Sequence, residues 1–265
     1  MNPALAPSDW QLIKPLKLPV ALLYFGVSAL VFRGCVYGLM PYLLDSGVVP
    51  FWAFIGSYSL ALAGLMGATV LALRQDGYPL TYKTFRQRLR FQALSPSAWG
   101  WAISLFVVGF LLTGLLIPTA QTIARLSAFR PPAFLPDVLN PLTPKVASLT
   151  QFMGVPLAGQ WWLLAVYALF LLVFNLLGEE LWFRGYLFPR QQLVYGRWSW
   201  LVHGLLWTLF HLPIYPWYLV YLLPTALTVS YAAQKTGSSW ASYVVHGLGN
   251  GLLVLIPITG GILGK

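Results

Sequence analysis

The chain has 265 residues, 58% of them hydrophobic and 8% charged, with a formal net charge of +10. A soluble domain carries about 25% charged residues, so this composition and a mean hydropathy of +0.71 exclude a water-soluble globule. The charge does not point to nucleic acid either. Arg74, Lys83, Arg86, Arg88 and Arg90 cluster between two apolar blocks, where basic residues make a loop that faces anionic lipid.

The segment 1–18 places Pro3, Pro7, Trp10 and Pro15 ahead of the first apolar block and lacks a signal-peptide layout. It is expected to be an uncleaved cytoplasmic segment. A membrane span needs about 20 apolar residues, and seven blocks qualify, at roughly 19–43, 50–73, 98–118, 161–187, 199–215, 217–235 and 239–259. The first is long enough to split, which would make eight. Pro213 and Pro216 crowd the boundary between the fifth and sixth. Between the third and fourth spans, Pro131, Pro132, Pro136, Pro141, Pro144 and Pro156 argue against a long helix but leave room for a short interfacial one. Cys35 is the single cysteine, so no internal disulfide can form. The expected architecture is an all-α, polytopic transmembrane bundle forming one domain, 1–265.

Orientation follows the distribution of Lys and Arg. With the N-terminus inside, Arg125, Arg130, Lys145 and Lys265 fall outside, Arg33 falls within the first span, and the other basic residues lie on the inner side. That bias predicts a multi-pass protein of the cell membrane with a cytoplasmic N-terminus. Trp52, Trp99, Trp101, Trp161, Trp162, Trp198, Trp200, Trp217 and Trp240 sit near span ends and are expected to form an interfacial aromatic belt.

Against this background an ionisable residue within a span is costly and marks function. The fourth block ends in the run GEELWFRG, with Glu179 and Glu180 followed by Arg184. On a helix Glu180 and Arg184 are i, i+4 neighbours and can pair. Glu179 then points about 100° away and is left free of that pair. The fifth block carries Trp207 and His211 on one face, and the seventh carries His246 and Asn250 on one face. At a rise of 1.5 Å per residue, Glu179, His246 and His211 lie about 12, 10 and 18 Å from the cytoplasmic ends of their spans. They share one layer and can meet. Gly247, Gly249 and Gly251 flank Asn250, which allows close approach by a peptide or by another helix. His203, two turns before His211, is expected to be structural.

The chemistry open to this set is hydrolysis without a covalent nucleophile. Glu179 can take a proton from water, with His211 helping to orient that water. His246 and Asn250 can supply donors to the oxyanion of a tetrahedral intermediate. No Gly-x-Ser-x-Gly and no Ser-His-Asp pattern is present. A zinc ion held by Glu179, His211 and His246, with Glu180 as base, is the alternative. It would break both the Glu180–Arg184 pair and the His246–Asn250 pair, so no cofactor is expected.

Three motifs, Glu179-Glu180-x-x-x-Arg184, Trp207-x-x-x-His211 and His246-x-x-x-Asn250, resemble those of the CAAX protease and bacteriocin-processing (CPBP, or Abi) family, which includes the type II CAAX prenyl endopeptidases. The resemblance covers about 160–260, the expected catalytic core. Trp207 stands where Phe is commoner. The resemblance implies an all-helical membrane core opening toward the cytoplasm. Glu179 and His211 would activate water, and His246 and Asn250 would hold the oxyanion. The implied partner is a peptide or protein substrate, prenylated or not. A non-catalytic membrane interaction or bacteriocin-immunity protein is the second reading. A proton-coupled transporter is the third, though neither inverted repeats nor paired broken helices are visible.

Overall fold

The computed structural model describes residues 13–144 and 149–264. Pro3, Pro7 and Trp10 of the N-terminal segment, Lys145 and Lys265 lie outside the described residues. The fold is an all-α membrane bundle. Helix α1 is the run Leu18–Asp45, α2 is Pro50–Gln75 and α4 is Pro96–Leu115, each long and apolar enough to cross a bilayer. The short α3, Tyr82–Gln87, lies in the basic loop between α2 and α4. Apolar side chains that a soluble protein would bury stand outward here, among them Leu23, Leu30, Leu71, Leu111 and Leu115. They form the face offered to lipid.

Local chemistry fixes where these helices begin and break. Pro50 and Pro96 occupy first-turn positions, where a missing N–H costs nothing. Ser95 and Thr81 cap α4 and α3 through their side-chain oxygens, at 3.2 Å to Ala98 N and 3.3 Å to Thr84 N. Within α1 the turn Cys35–Leu39 widens to a π-helix just ahead of Pro41, and the helix continues through both. The first block therefore remains one continuous span and does not split.

After α5, Ile117–Arg125, the proline-rich connection forms 3₁₀ turns and a hairpin of β1, Gln151–Phe152, and β2, Val155–Pro156. Strand register pairs Gln151 with Pro156 and Phe152 with Val155. Met153 and Gly154 both have positive φ, at 48° and 80°, as a two-residue hairpin turn demands. Phe152 is buried, with ring contacts to Phe51 and Tyr167, so the connection folds back onto the bundle.

The next run, Trp161–His211, is helical over 51 residues. At 1.5 Å per residue that is about 77 Å, more than twice the roughly 30 Å of a hydrocarbon core. It is two antiparallel helices. Helix α6 comprises Trp161–Leu169, the π-helical segments Phe170–Leu177 and Glu180–Leu187, and Phe188–Tyr195. Gly196, at φ 51°, reverses the chain, and α7, Ser199–His211, returns beside α6. Helices α8, Leu223–Thr236, and α9, Ser239–Ile262, complete the bundle. Gly237 ends α8 in the left-handed conformation, and Ser238 caps α9.

Two expectations change here. The fifth and sixth expected spans are helices of only 13 and 14 residues, α7 and α8, or about 20 Å each. Among the described residues five helical runs, not seven, have the length and composition to cross. Pro213 and Pro216 stop α7, and the chain takes a 3₁₀ turn at Pro216–Tyr218 before α8 begins. Side chains satisfy the freed backbone groups there. Tyr37 Oη donates to Ile214 O at 2.6 Å and Arg33 donates to Pro213 O, while Trp217 Nε1 ties the turn to Leu139 O of the proline-rich connection at 3.2 Å. Irregular backbone is tolerated in a membrane protein where protein groups cover it in this way. The second change concerns the aromatic belt. Trp52, Trp99, Trp101, Trp161, Trp162 and Trp198 are exposed as expected, but Trp217 is buried in the core.

Candidate active site

The site is built on α6, α7 and α9. Glu179 lies between the two π-helical segments of α6, and Glu180 opens the second. π turns inside helices recur at functional sites because they re-aim side chains. Gly178 lets this part of α6 approach α2, since a Cβ there would meet Leu62 O at 3.0 Å.

Glu180 is fully enclosed. Arg184 Nη1 lies 3.3 Å from its Oε1, His246 Nδ1 lies 3.1 Å from the same oxygen, and Ser242 Oγ donates to Oε2 at 2.5 Å. The guanidinium of Arg184 rests 3.9 Å over the Trp207 ring, a cation–π contact that strengthens when desolvated. The expected i, i+4 ion pair is therefore formed, and His246 joins it.

Glu179 stays outside that ion pair. Its Oε1 accepts from Asn175 Nδ2 at 3.0 Å and its Oε2 accepts from Trp207 Nε1 at 3.0 Å. Relative exposure is 3% for Glu179, 0% for Glu180 and Arg184, and 3% for His246, so all four are withdrawn from bulk solvent.

On α7, His211 Nδ1 donates to Trp207 O at 2.8 Å. That bond places the proton on Nδ1 and leaves the Nε2 lone pair available. The His211 and His246 rings each stand edge-on to Trp207, with centroids 5.0 Å away. Trp207 thus touches Glu179, Arg184 and both histidines. On α9, Asn250 Nδ2 donates to His246 Nε2 and to Asn175 Oδ1, both at 3.1 Å. Because His246 Nδ1 faces Glu180 and Nε2 accepts from Asn250, His246 presents no spare N–H in this arrangement. Gly247 and Gly251 pack against Leu176 and Leu171 of α6, while Gly249 faces open space.

All six residues singled out in the sequence gather in one layer, with Glu179, Glu180, Arg184 and His246 buried and His211 and Asn250 half-buried. His203 does not join them. It is buried among Phe25, Phe183 and Phe188, with Nδ1 2.5 Å from Gln191 Oε1. The sequence reading missed Asn175, Ser242 and the donor on Trp207. Asn175 is four residues before Glu179 and Ser242 four before His246, so the same-face spacing that pairs His246 with Asn250 reaches both.

Residues 160–252 match a family described as type II CAAX prenyl endopeptidase Rce1-like. This segment is Rce1-like. It runs from the residue ahead of α6 into α9 and takes in all six motif residues. No curated protein and no solved structure gives a match. The match covers about a third of the chain, and the five helical runs able to cross a bilayer make this a multi-pass membrane protein.

Proposed function

We propose that this protein is an intramembrane endopeptidase in which Glu179 activates water against a peptide carbonyl. One observation carries the reading. Two adjacent buried carboxylates have different partners, Glu180 in an ion pair with Arg184 and Glu179 held only by neutral N–H donors. Divergent environments of this kind separate a structural carboxylate from a catalytic one.

Water adds to the carbonyl carbon as its proton passes to Glu179, with His211 Nε2 accepting from the same water. The carbonyl oxygen becomes an oxyanion and takes an N–H of Asn250 in exchange for one of that amide's present acceptors. As the C–N bond breaks, Glu179 returns the proton to the departing amine. His246, fixed by Glu180, keeps the Asn250 amide in place. The substrate is a peptide, and the family description favours one with a prenylated C-terminal motif.

The donor set supports a metal-free reaction. Both oxygens of Glu179 and both nitrogens of His246 are engaged by protein groups. Among the described residues no three His, Cys, Asp or Glu side chains gather to hold an ion.

The test uses purified protein in lipid nanodiscs and quenched peptides ending in Cys-aliphatic-aliphatic-X, with and without a prenyl group on the cysteine. Cleavage of either peptide, with a new terminus in the mass spectrum and a rate unchanged by chelators, is the expected result. Near-stoichiometric zinc, with activity lost on chelation and restored by zinc, would overturn the glutamate-base mechanism. Absence of cleavage, together with no peptide captured by a Glu179→Gln protein, would favour the non-catalytic interaction or immunity role.

Orientation in the cell membrane is a separate proposal, resting on the charge bias. A reporter fused after Arg90 is expected to be cytoplasmic and one inserted near Pro141 external. The reverse pattern would remove the cytoplasmic opening from the reading.

A further inference from the structure

Asn175 belongs to none of the three motifs, yet among the described residues it is the one side chain that hydrogen-bonds both Glu179 and Asn250. An amide has one donor side and one acceptor side, and here each is committed. The Nδ2 side serves Glu179 Oε1 at 3.0 Å, which leaves Oδ1 for Asn250 Nδ2 at 3.1 Å. Asn250 then turns its second N–H to His246 Nε2, and His246 keeps its proton on Nδ1, facing Glu180. Each link fixes the polarity of the next, from one carboxylate to the other.

We infer that Asn175 is a positioning residue that ties the orientation of the Asn250 amide to the charge on Glu179. While Glu179 is a carboxylate it holds the Asn175 donor, and Asn250 is held in turn. Once Glu179 has taken the proton from water, its demand for that donor falls. Asn175 can then relax, and one N–H of Asn250 is released as the oxyanion forms. Hydrogen-bond chains in a low-dielectric interior polarise one another in this way. The inference rests on Glu179 being the base and Asn250 an oxyanion donor.

The experiment is a double-mutant cycle with the prenylated quenched peptide. Asn175→Leu keeps the size and removes both hydrogen bonds. It is expected to lower kcat by roughly 100-fold, the scale of a small misplacement of a catalytic group, with KM within about twofold. The double variant Asn175→Leu/Asn250→Ala is expected to be about as slow as Asn250→Ala alone, because residues acting through one another are non-additive. If the two losses multiply, or if Asn175→Leu raises KM with kcat unchanged, the link does not exist. Asn175→Ala carries the same expectation should the leucine variant fold poorly. Parent-like turnover in Glu179→Gln would instead overturn the base assignment, so the two failures are distinct.

Discussion

Glu179→Gln is expected to remove peptide hydrolysis almost completely while the protein stays folded. A positioned general base contributes about 100- to 10,000-fold, and an amide cannot take a proton from water. The substitution is nearly isosteric. Its amide oxygen can keep either the Asn175 or the Trp207 donor, but its NH2 then faces the other N–H. That mismatch costs about 1–3 kcal/mol, a modest loss against the effect on rate. The measurement is single-turnover cleavage of the prenylated peptide alongside a thermal melt. A protein that melts near the parent and cleaves less than about one hundredth as fast is the expected outcome. Undiminished cleavage would end the assignment of Glu179 as base.

Arg184→Ala is expected to act in the opposite sense, on stability first. It removes the charge partner of a fully buried carboxylate and the cation lying over Trp207. Breaking a buried pair from one side costs about 3–5 kcal/mol, because the other charge remains without its counter-ion. His246 and Ser242 still reach Glu180, which places the loss toward the lower end of that range. Folded yield in membranes and the melting midpoint in detergent should both fall. Arg184→Lys should recover only part of the loss, since an ammonium does not reproduce the planar stacking of guanidinium on an indole. An unchanged melting midpoint in Arg184→Ala would mean that the Glu180–Arg184 pair is not what holds this layer together.

Much of the site was legible because charge is scarce in this chain. With few ionisable residues in apolar blocks, Glu179, Glu180, Arg184, His211 and His246 stand out, and i, i+4 spacing links Glu180 to Arg184, Trp207 to His211 and His246 to Asn250. Asn175 and Ser242 stayed hidden for a physical reason. Neutral polar side chains are ordinary interhelical glue in membranes, so nothing in their chemistry separates them from residues such as Thr113 and Thr225, which bond to each other across two helices. The π-helical segments of α6 were not legible either, since apolar periodicity assumes 3.6 residues per turn. The lengths of α7 and α8 were misjudged because hydropathy does not sense that α7 stops at His211, ahead of Pro213 and Pro216, or that α8 starts only at Leu223.

The partners in the site are far apart along the chain, and the distances are unequal. Glu179 and Trp207 are 28 residues apart, whereas Glu180 and His246 are separated by 66 and Asn175 and Asn250 by 75. Synthesis proceeds from the N-terminus, and segments fold as they emerge. The α6–α7 hairpin can therefore seat Glu179 against Trp207 while α9 is still being made. At that stage Glu180 has Arg184 but neither Ser242 nor His246, and no amide from α9 is available to a developing oxyanion. On the proposed assignment, a half-inserted chain would carry the base without its oxyanion donor. Competence for hydrolysis would, on that reading, arrive only with α9, so the order of synthesis would keep a nascent chain from cutting peptides before α9 packs against α6 and α7.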